Sequence, residues 1–358
     1  MTGTSVQIED RARQRALDHA AGIWSATSRY AAVLVLLTAL FIWFSATQSA
    51  FFTQANIENL LTSSSILWVV SMGMTFVVLT GGIDLSVGSL LALSGIVLSN
   101  LLNGLGLPAG LAVLLTILIA AIIGGGVNGV LIGRFGLSFF VVTLGTLSLY
   151  GGIVNIWSHT ETTYITSSLI DGIAFGKGLG VATPIWIMIG TFLVAFVVLR
   201  WTYFGRDIYA VGGNIDAARL SGINVERTLM SAYAIAGLCA GLAGVIQAGR
   251  LGAASPLVGQ NVPLNAAAGV LLGGTSFTGG VGGVTGTAVG VLFIGTLQNG
   301  LSIAGVSSFW QEVVTGVILI VAVGIDRLQR NPSGRFGRRL GGTGHGPTSQ
   351  TEPTSEGG

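Results

Sequence analysis

Ten apolar runs succeed one another along this chain, near residues 30–47, 64–80, 85–103, 108–132, 137–157, 184–200, 229–249, 264–278, 284–302 and 308–325. A helix that crosses a bilayer needs about 20 mostly apolar residues, so each run is the size of one crossing. Charged residues make up only 8% of the 358 and hydrophobic ones 51%. A soluble domain is about a quarter charged, so this chain lacks the polar surface that water requires. Disorder is excluded for the core, because it needs low hydrophobicity and high net charge, and the net charge here is +2. The fold class that follows is an all-α polytopic membrane protein of about ten transmembrane helices with both termini cytoplasmic.

The basic residues test that count independently, since cytoplasmic loops are enriched in Lys and Arg. Ten crossings that start inside put Arg11, Arg13, Arg15 and Arg29 on the cytoplasmic face, with Arg134, the four arginines between Arg200 and Arg227, and five more from Arg327 to Arg339. Fourteen of the sixteen basic residues then lie on one side, with only Lys177 and Arg250 opposite. A pI near 8.9 therefore reflects orientation, and nucleic acid is not an expected partner. Trp157, Trp186, Trp201 and Trp310 fall at the ends of runs, where indole rings anchor at headgroup level.

Residues 1–29 read as a cytoplasmic arm, 30–326 as the membrane domain, and the Gly/Ser/Thr/Pro-rich stretch 327–358 as a disordered cytoplasmic tail. The basic arm followed by an apolar run resembles a signal peptide, but both are too long, so an uncleaved first crossing is expected. Small residues recur inside the runs, as in IIGGGVNGVLIG and AIAGLCAGLAG. They suit close helix packing in lipid or a hydrated path. Cys239, the single cysteine, lies in such a stretch and reads as a packing residue.

The segment TGGIDLSVGSLLALSG at 80–95 breaks one helix and starts another. Asp84 is placed to N-cap the second helix, with Ser86 in its first turn. A carboxylate within the membrane must face protein or water, so Asp84 is either a cap or a pathway and hinge residue. Thr80-Gly81-Gly82 followed by Gly88 returns as Thr278-Gly279-Gly280 followed by Gly286, a possible internal repeat. Broken helices at matching places in two halves mark the site region of many transporters.

The longest cytoplasmic loop, 201–228, reads VGGN as a turn and IDAARLSG as a short helix stopped by Gly222. Asp216 near its start and Arg219 near its end suit the helix dipole. Such a helix is a docking surface for a cytoplasmic partner, or a simple connector. Catalytic patterns are absent: GIAFGKG lacks the spacing and Ser/Thr of a phosphate-binding loop, and His19, His159 and His345 are scattered. Ion-coupled carriers keep acids inside the membrane, and here Asp84, Glu58 and Glu312 all fall toward the ends of runs. Any driving force is expected from another subunit.

The segments GGIDLSVGSLLALSG, VVTLGTLSLYGG, YAVGGNIDAARLSGINV, LLGGTSFTGG and LQNGLSIAGVSSFWQ resemble, in order, those of ribose/xylose-type ABC transporter permeases, related to branched-chain amino acid permeases. The resemblance covers about residues 50–326. It implies a multi-pass permease of the bacterial inner membrane that pairs with a second permease copy, identical or paralogous. It further implies an ABC ATPase subunit and an extracytoplasmic sugar-binding protein, with no cofactor on this chain and ATP used by the ATPase. By position, Gly213, Asn214, Ala217, Ala218, Arg219, Leu220 and Gly222 match the family's ATPase-coupling loop. Asp84, Ser86, Asn128, Thr143 and Thr146 match polar positions and are pathway candidates.

Four positions depart from the family pattern. Phe139 stands where a Pro is usual, Gly151 where an Arg is common, and Pro263 and Asn265 where acids are frequent. These changes bear on substrate choice and leave the fold untouched. The expected function is import of a monosaccharide or related polyol. The alternatives are a permease for another small solute, such as a branched-chain amino acid or nucleoside, and an ion-coupled secondary carrier.

Overall fold

The computed structural model describes residues 31–330, with side chains through Gly324. Each of the ten expected runs contains a helix. Seven helices are long and apolar enough to cross a membrane. They are α2 (Gln54–Leu79), α3 (Val87–Gly104), α4 (Ala109–Gly133), α5 (Phe139–Ser158), α7 (Thr183–Trp201), α10 (Val225–Leu251) and α12 (Val284–Ile303). The other three are shorter apolar helices: α1 (Ala31–Thr47), α11 (Val262–Leu272) and the apolar part, Ser308–Gly324, of α13 (Ser308–Arg330). Two outcomes differ from the sequence reading. The expected arm and most of the expected tail lie outside the described residues, and α13 runs on through Arg330, into the first residues assigned to the tail.

The second difference is α11, expected over 264–278. It ends at Leu272. Eleven residues at about 1.5 Å each reach only about half of a ~30 Å hydrocarbon core. The chain then turns through residues 273–283, where Gly274, Gly279, Gly280 and Gly282 all take positive φ. No charge marks this turn, so hydropathy alone carries the run straight through it.

Between the crossings lie α6 (Ser168–Phe175) and two small sheets. One pairs β1 (Thr163–Tyr164) with β4 (Ala253–Ala254), antiparallel, with Thr163 opposite Ala254. The other is the hairpin of β2 (Lys177–Gly178) and β3 (Val181–Ala182). On this side both outlying basic residues are partnered, Lys177 with Glu58 at 2.7 Å and Arg250 with Ser63 at 3.1 Å.

The core is built on α2 and α10, which are buried over most of their length. In lipid, apolar burial gives little drive between helices, so close packing and interhelical hydrogen bonds hold them. Where α4 crosses α10, a Cβ on Gly124 would sit 3.0 Å from the Gly237 backbone. A polar seam joins α2 to α12: the Asn56 and Asn299 amides exchange two bonds of 3.0 Å, and the Thr75 and Thr287 hydroxyls meet at 2.8 Å. By contrast α4, α5 and α7 present apolar side chains outward, among them Leu114, Leu118, Val141 and Val194, as a lipid-facing surface requires.

Candidate functional site

Three features could carry function, and they connect. The first is the segment after α7, expected on the cytoplasmic face, which folds as α8 (Tyr203–Gly213) and α9 (Ile215–Leu220). Thr202 caps α8, its hydroxyl oxygen accepting from the Gly205 N–H at 3.1 Å. The expected VGGN turn is instead the last turn of α8 followed by a cap. Asn214 takes extended backbone, and its side-chain oxygen accepts from the N–H groups of Asp216 and Ala217 at 3.0 and 2.9 Å. At the far end Gly222, with φ of +84°, donates to the Arg219 carbonyl, and Ile223 donates to that of Ala218. A left-handed Gly after the last turn is how many helices stop.

α9 is two-faced. Ala218 turns inward onto Val211, Val225 and Leu229. Asp216, Ala217, Arg219 and Leu220 turn outward, and Leu220 is 90% exposed. Arg219 reaches Asp216 at 3.9 Å, a solvated pair that contributes little to stability.

The second feature is a glycine junction beneath α8. Phe204 stacks on Phe76 of α2, with ring centroids 6.3 Å apart. The Tyr209 hydroxyl donates to the Gly282 carbonyl at 2.8 Å. Burial holds the Tyr209 phenol above its usual pKa, against the opposing pull of Arg200, so it keeps its proton. Gly212 lies on both breaks at once. A Cβ there would run into the Leu79 carbonyl oxygen and approach the Gly280 nitrogen at 2.6 Å. The two Thr-Gly-Gly copies meet at this point, with the Gly280 N–H donating to Leu79 at 2.9 Å. Gly81 and Gly279 take nearly equal φ, +84° and +83°.

The third feature is the turn between α2 and α3. Asp84 was expected to cap α3. The cap position belongs to Ser86, and Asp84 lies two residues earlier, fully buried. Its carboxylate accepts from the Ser86 N–H at 2.9 Å, the Ser86 hydroxyl at 2.6 Å and, at 3.3 Å, the Asn128 amide. The same Asn128 amide also donates to the Ser86 hydroxyl at 2.8 Å. Asn128 comes from α4, so three expected residues are brought together across two elements. Thr143 and Thr146 are buried on α5, and the Thr146 hydroxyl donates back to Val142 at 3.0 Å.

Removing the Asp84 carboxylate strands those donors in the interior, at about 1–3 kcal/mol for each unpaired group. Asp84→Ala is therefore expected to lower the thermal unfolding midpoint in detergent strongly, and Asp84→Asn, which keeps an acceptor, much less. Equal midpoints for Asp84→Ala and the native chain would remove the network from the account.

Two clefts open between the helices. The larger, about 430 Å³, lies between α3, α5 and the approach to α11, and is lined by Ser89, Ser148, Asn155 and Gln260 among others. The smaller, about 250 Å³, lies between α2, α12 and α13, with Ser63 and Gln298 in its wall. None of the five pathway candidates lines either cleft. Sequence reasoning passed over Ser148 and Asn155, although they stand seven apart with Gly151 and Gly152 between them, one polar and small stripe on a helix.

The chain matches, over residues 56–323, the model of the family described as branched-chain amino acid transport system / permease component. It is 41% identical over 297 residues to the ribose import permease protein RbsC of Escherichia coli, covering 82% of this chain and 92% of that protein. It is 41% identical over 280 residues to RbsC of Bacillus subtilis, covering 78% and 86%. With the D-allose transport system permease protein AlsC of Escherichia coli it shares 35% over 330 residues, 91% and 99% of the two chains. No solved structure gives a significant match.

Proposed function

We propose, from the premise that this chain belongs to the branched-chain amino acid transport system / permease component family, that it is the membrane-spanning permease subunit of an ABC importer for a monosaccharide or related polyol. The relatives that share most of its length are named for import or transport of ribose and D-allose, and others for L-arabinose and galactose. Nine of the ten apolar helices cross the bacterial inner membrane, the remaining crossing is made by α11 together with the turn 273–283 that follows it, and both termini lie in the cytoplasm. The working assembly contains a second permease copy, an ABC ATPase subunit and an extracytoplasmic sugar-binding protein. This chain binds no cofactor, and ATP is used by the ATPase.

The observation that carries the reading is the seating of α8 on both helix breaks. α9 offers Asp216, Ala217, Arg219 and Leu220 to the ATPase, while Asn214 and Gly222 fix its two ends. Closure of two ATPases on ATP moves α9. α8 passes that movement to the Thr80–Gly82 and Thr278–Gly280 turns, and so to the starts of α3 and α12. Asp84, Ser86 and Asn128 keep the first turn rigid, so it moves as one piece with α3. Thr143 and Thr146 sit on α5, the opposite wall of the larger cleft.

The family's description favours one second reading, a branched-chain amino acid as solute. Reconstitution with the ATPase and binding protein separates the two. Uptake of at least one of ribose, allose, arabinose or galactose is expected, undiminished by excess leucine. Leucine uptake with none of those sugars carried would sink the sugar assignment.

A further inference from the structure

We infer that the cleft between α3, α5 and the approach to α11 is where the solute rests within the membrane, and that it selects neutral, polyhydroxylated molecules. The inference rests on the permease reading and goes beyond it by naming a site within the chain and the wall that would select the solute.

Five observations converge on this cleft. Its volume, about 430 Å³, falls within the roughly 300–1,000 Å³ of small-molecule sites, and the smaller cleft falls below that range. Its polar wall is made of hydroxyls and amides, Ser89, Ser148, Asn155 and Gln260, and no charged side chain lines it among the described residues. Ser148 and Asn155 are exposed on α5, whose other outward residues include Val141, Leu144 and Leu149. Polar groups at membrane depth face protein or a water-filled cavity rather than lipid. Hydroxyls and amides both donate and accept, which suits a ring of hydroxyl groups. A zwitterionic amino acid would leave its two charges unpaired in the same wall.

Two interrupted helices also begin there. α3 starts with Gly88 and Ser89 in the wall, and α11 with Pro263. Neither start carries a side-chain capping bond, from Ser86 or from Asn261. At α11 the Val262 N–H donates to the Gly259 carbonyl at 3.2 Å and Pro263 has none, so what the two starts share with transporters whose sites are built at broken helices is their place in the wall.

Finally, the cleft is tied to the moving parts. A Cβ on Gly88 would strike the Gly259 carbonyl oxygen and come within 2.8 Å of Pro263. α3 thus bears directly on the approach to α11, and α3 leaves the turn on which α8 is seated. A shift of that turn changes the width of the cleft. The smaller cleft is lined by α12 only from Gly295 onward, eleven residues beyond its start.

The single cysteine simplifies the test, because Cys239 is buried. Ser148→Cys and Asn155→Cys are made in the full chain and reconstituted with ATPase and binding protein. A small charged thiol reagent is applied, with Leu118→Cys, on the lipid-facing side of α4, as the unreactive comparison. Both cleft cysteines are expected to react, transported sugar to slow the reaction, and modification to abolish uptake while ATP hydrolysis continues. Unreactive cleft cysteines, or full uptake after modification, would overturn the assignment. So would sugar protection found at Ser63→Cys or Gln298→Cys in place of these two. Failure of the unmodified native complex to carry any sugar is a separate result, and it strikes the permease reading itself.

Discussion

Gly212→Ala is expected to stop transport, while Gly213→Ala, one residue on, leaves it intact. The contrast follows from what each added methyl meets. At Gly212 it runs into the Leu79 carbonyl oxygen and the Gly280 nitrogen, and at Gly213 nothing described lies within 4 Å. Backbone cannot swing aside as a flexible side chain can, so the methyl lifts α8 off both breaks. Overpacking of this kind costs about 1–3 kcal/mol. Charged against the seated arrangement alone, that lowers its population by roughly five- to 150-fold. Uptake in proteoliposomes and the thermal midpoint should be read together. Lost uptake with a retained midpoint is the expected pair. Equal uptake by the two variants would show that α8 does not transmit movement through this contact.

Leu220→Asp and Arg219→Glu are expected to release the ATPase. Leu220 is 90% exposed, and among the described residues the Arg219 side chain has only the solvated pair with Asp216. The changes should therefore leave the fold unaltered. An anchor residue at an interface centre is worth at least ~2 kcal/mol, roughly thirtyfold in affinity. Binding of the purified ATPase should weaken by that much or more for Leu220→Asp, and sugar uptake should fall with it. Ala218→Asp should behave differently, because Ala218 packs against Val211 and Val225 and its change disturbs the chain itself. Native ATPase affinity in Leu220→Asp would place the docking surface elsewhere.

Most of the helical layout was legible in the sequence, because hydropathy and arginine placement report on the solvent each segment meets. The break after Leu272 was not. GGTSFTGG carries no charge, so its hydropathy continues that of α11, while its conformation depends on positive φ at Gly274, Gly279 and Gly280. VGGN misled in the opposite direction. Paired glycines signal a turn, yet here they continue a helix, and Gly212 leaves room for the backbone packed against it. The repeated Thr-Gly-Gly was visible as a pattern, but contact between residues nearly two hundred apart has no local signature. Asp84 and Ser86 stand out as polar residues beside an apolar run and Asn128 by its match to the family, and the three form one buried network. Polarity alone does not separate a network that closes on itself from side chains that face a cleft. Ser148 and Asn155 required the further step of asking which helical face they share.

On the proposed reading, this chain forms the path and takes its driving force from a separate ATPase through α8 and α9. The most direct measurement is sugar uptake into proteoliposomes holding the chain, the ATPase and the binding protein, with ATP supplied on the α9 side and ionophores collapsing every ion gradient. Uptake that requires ATP, persists with ionophores present and disappears when the ATPase is omitted is the predicted result. Uptake by the chain alone that a sodium or proton ionophore abolishes would contradict it.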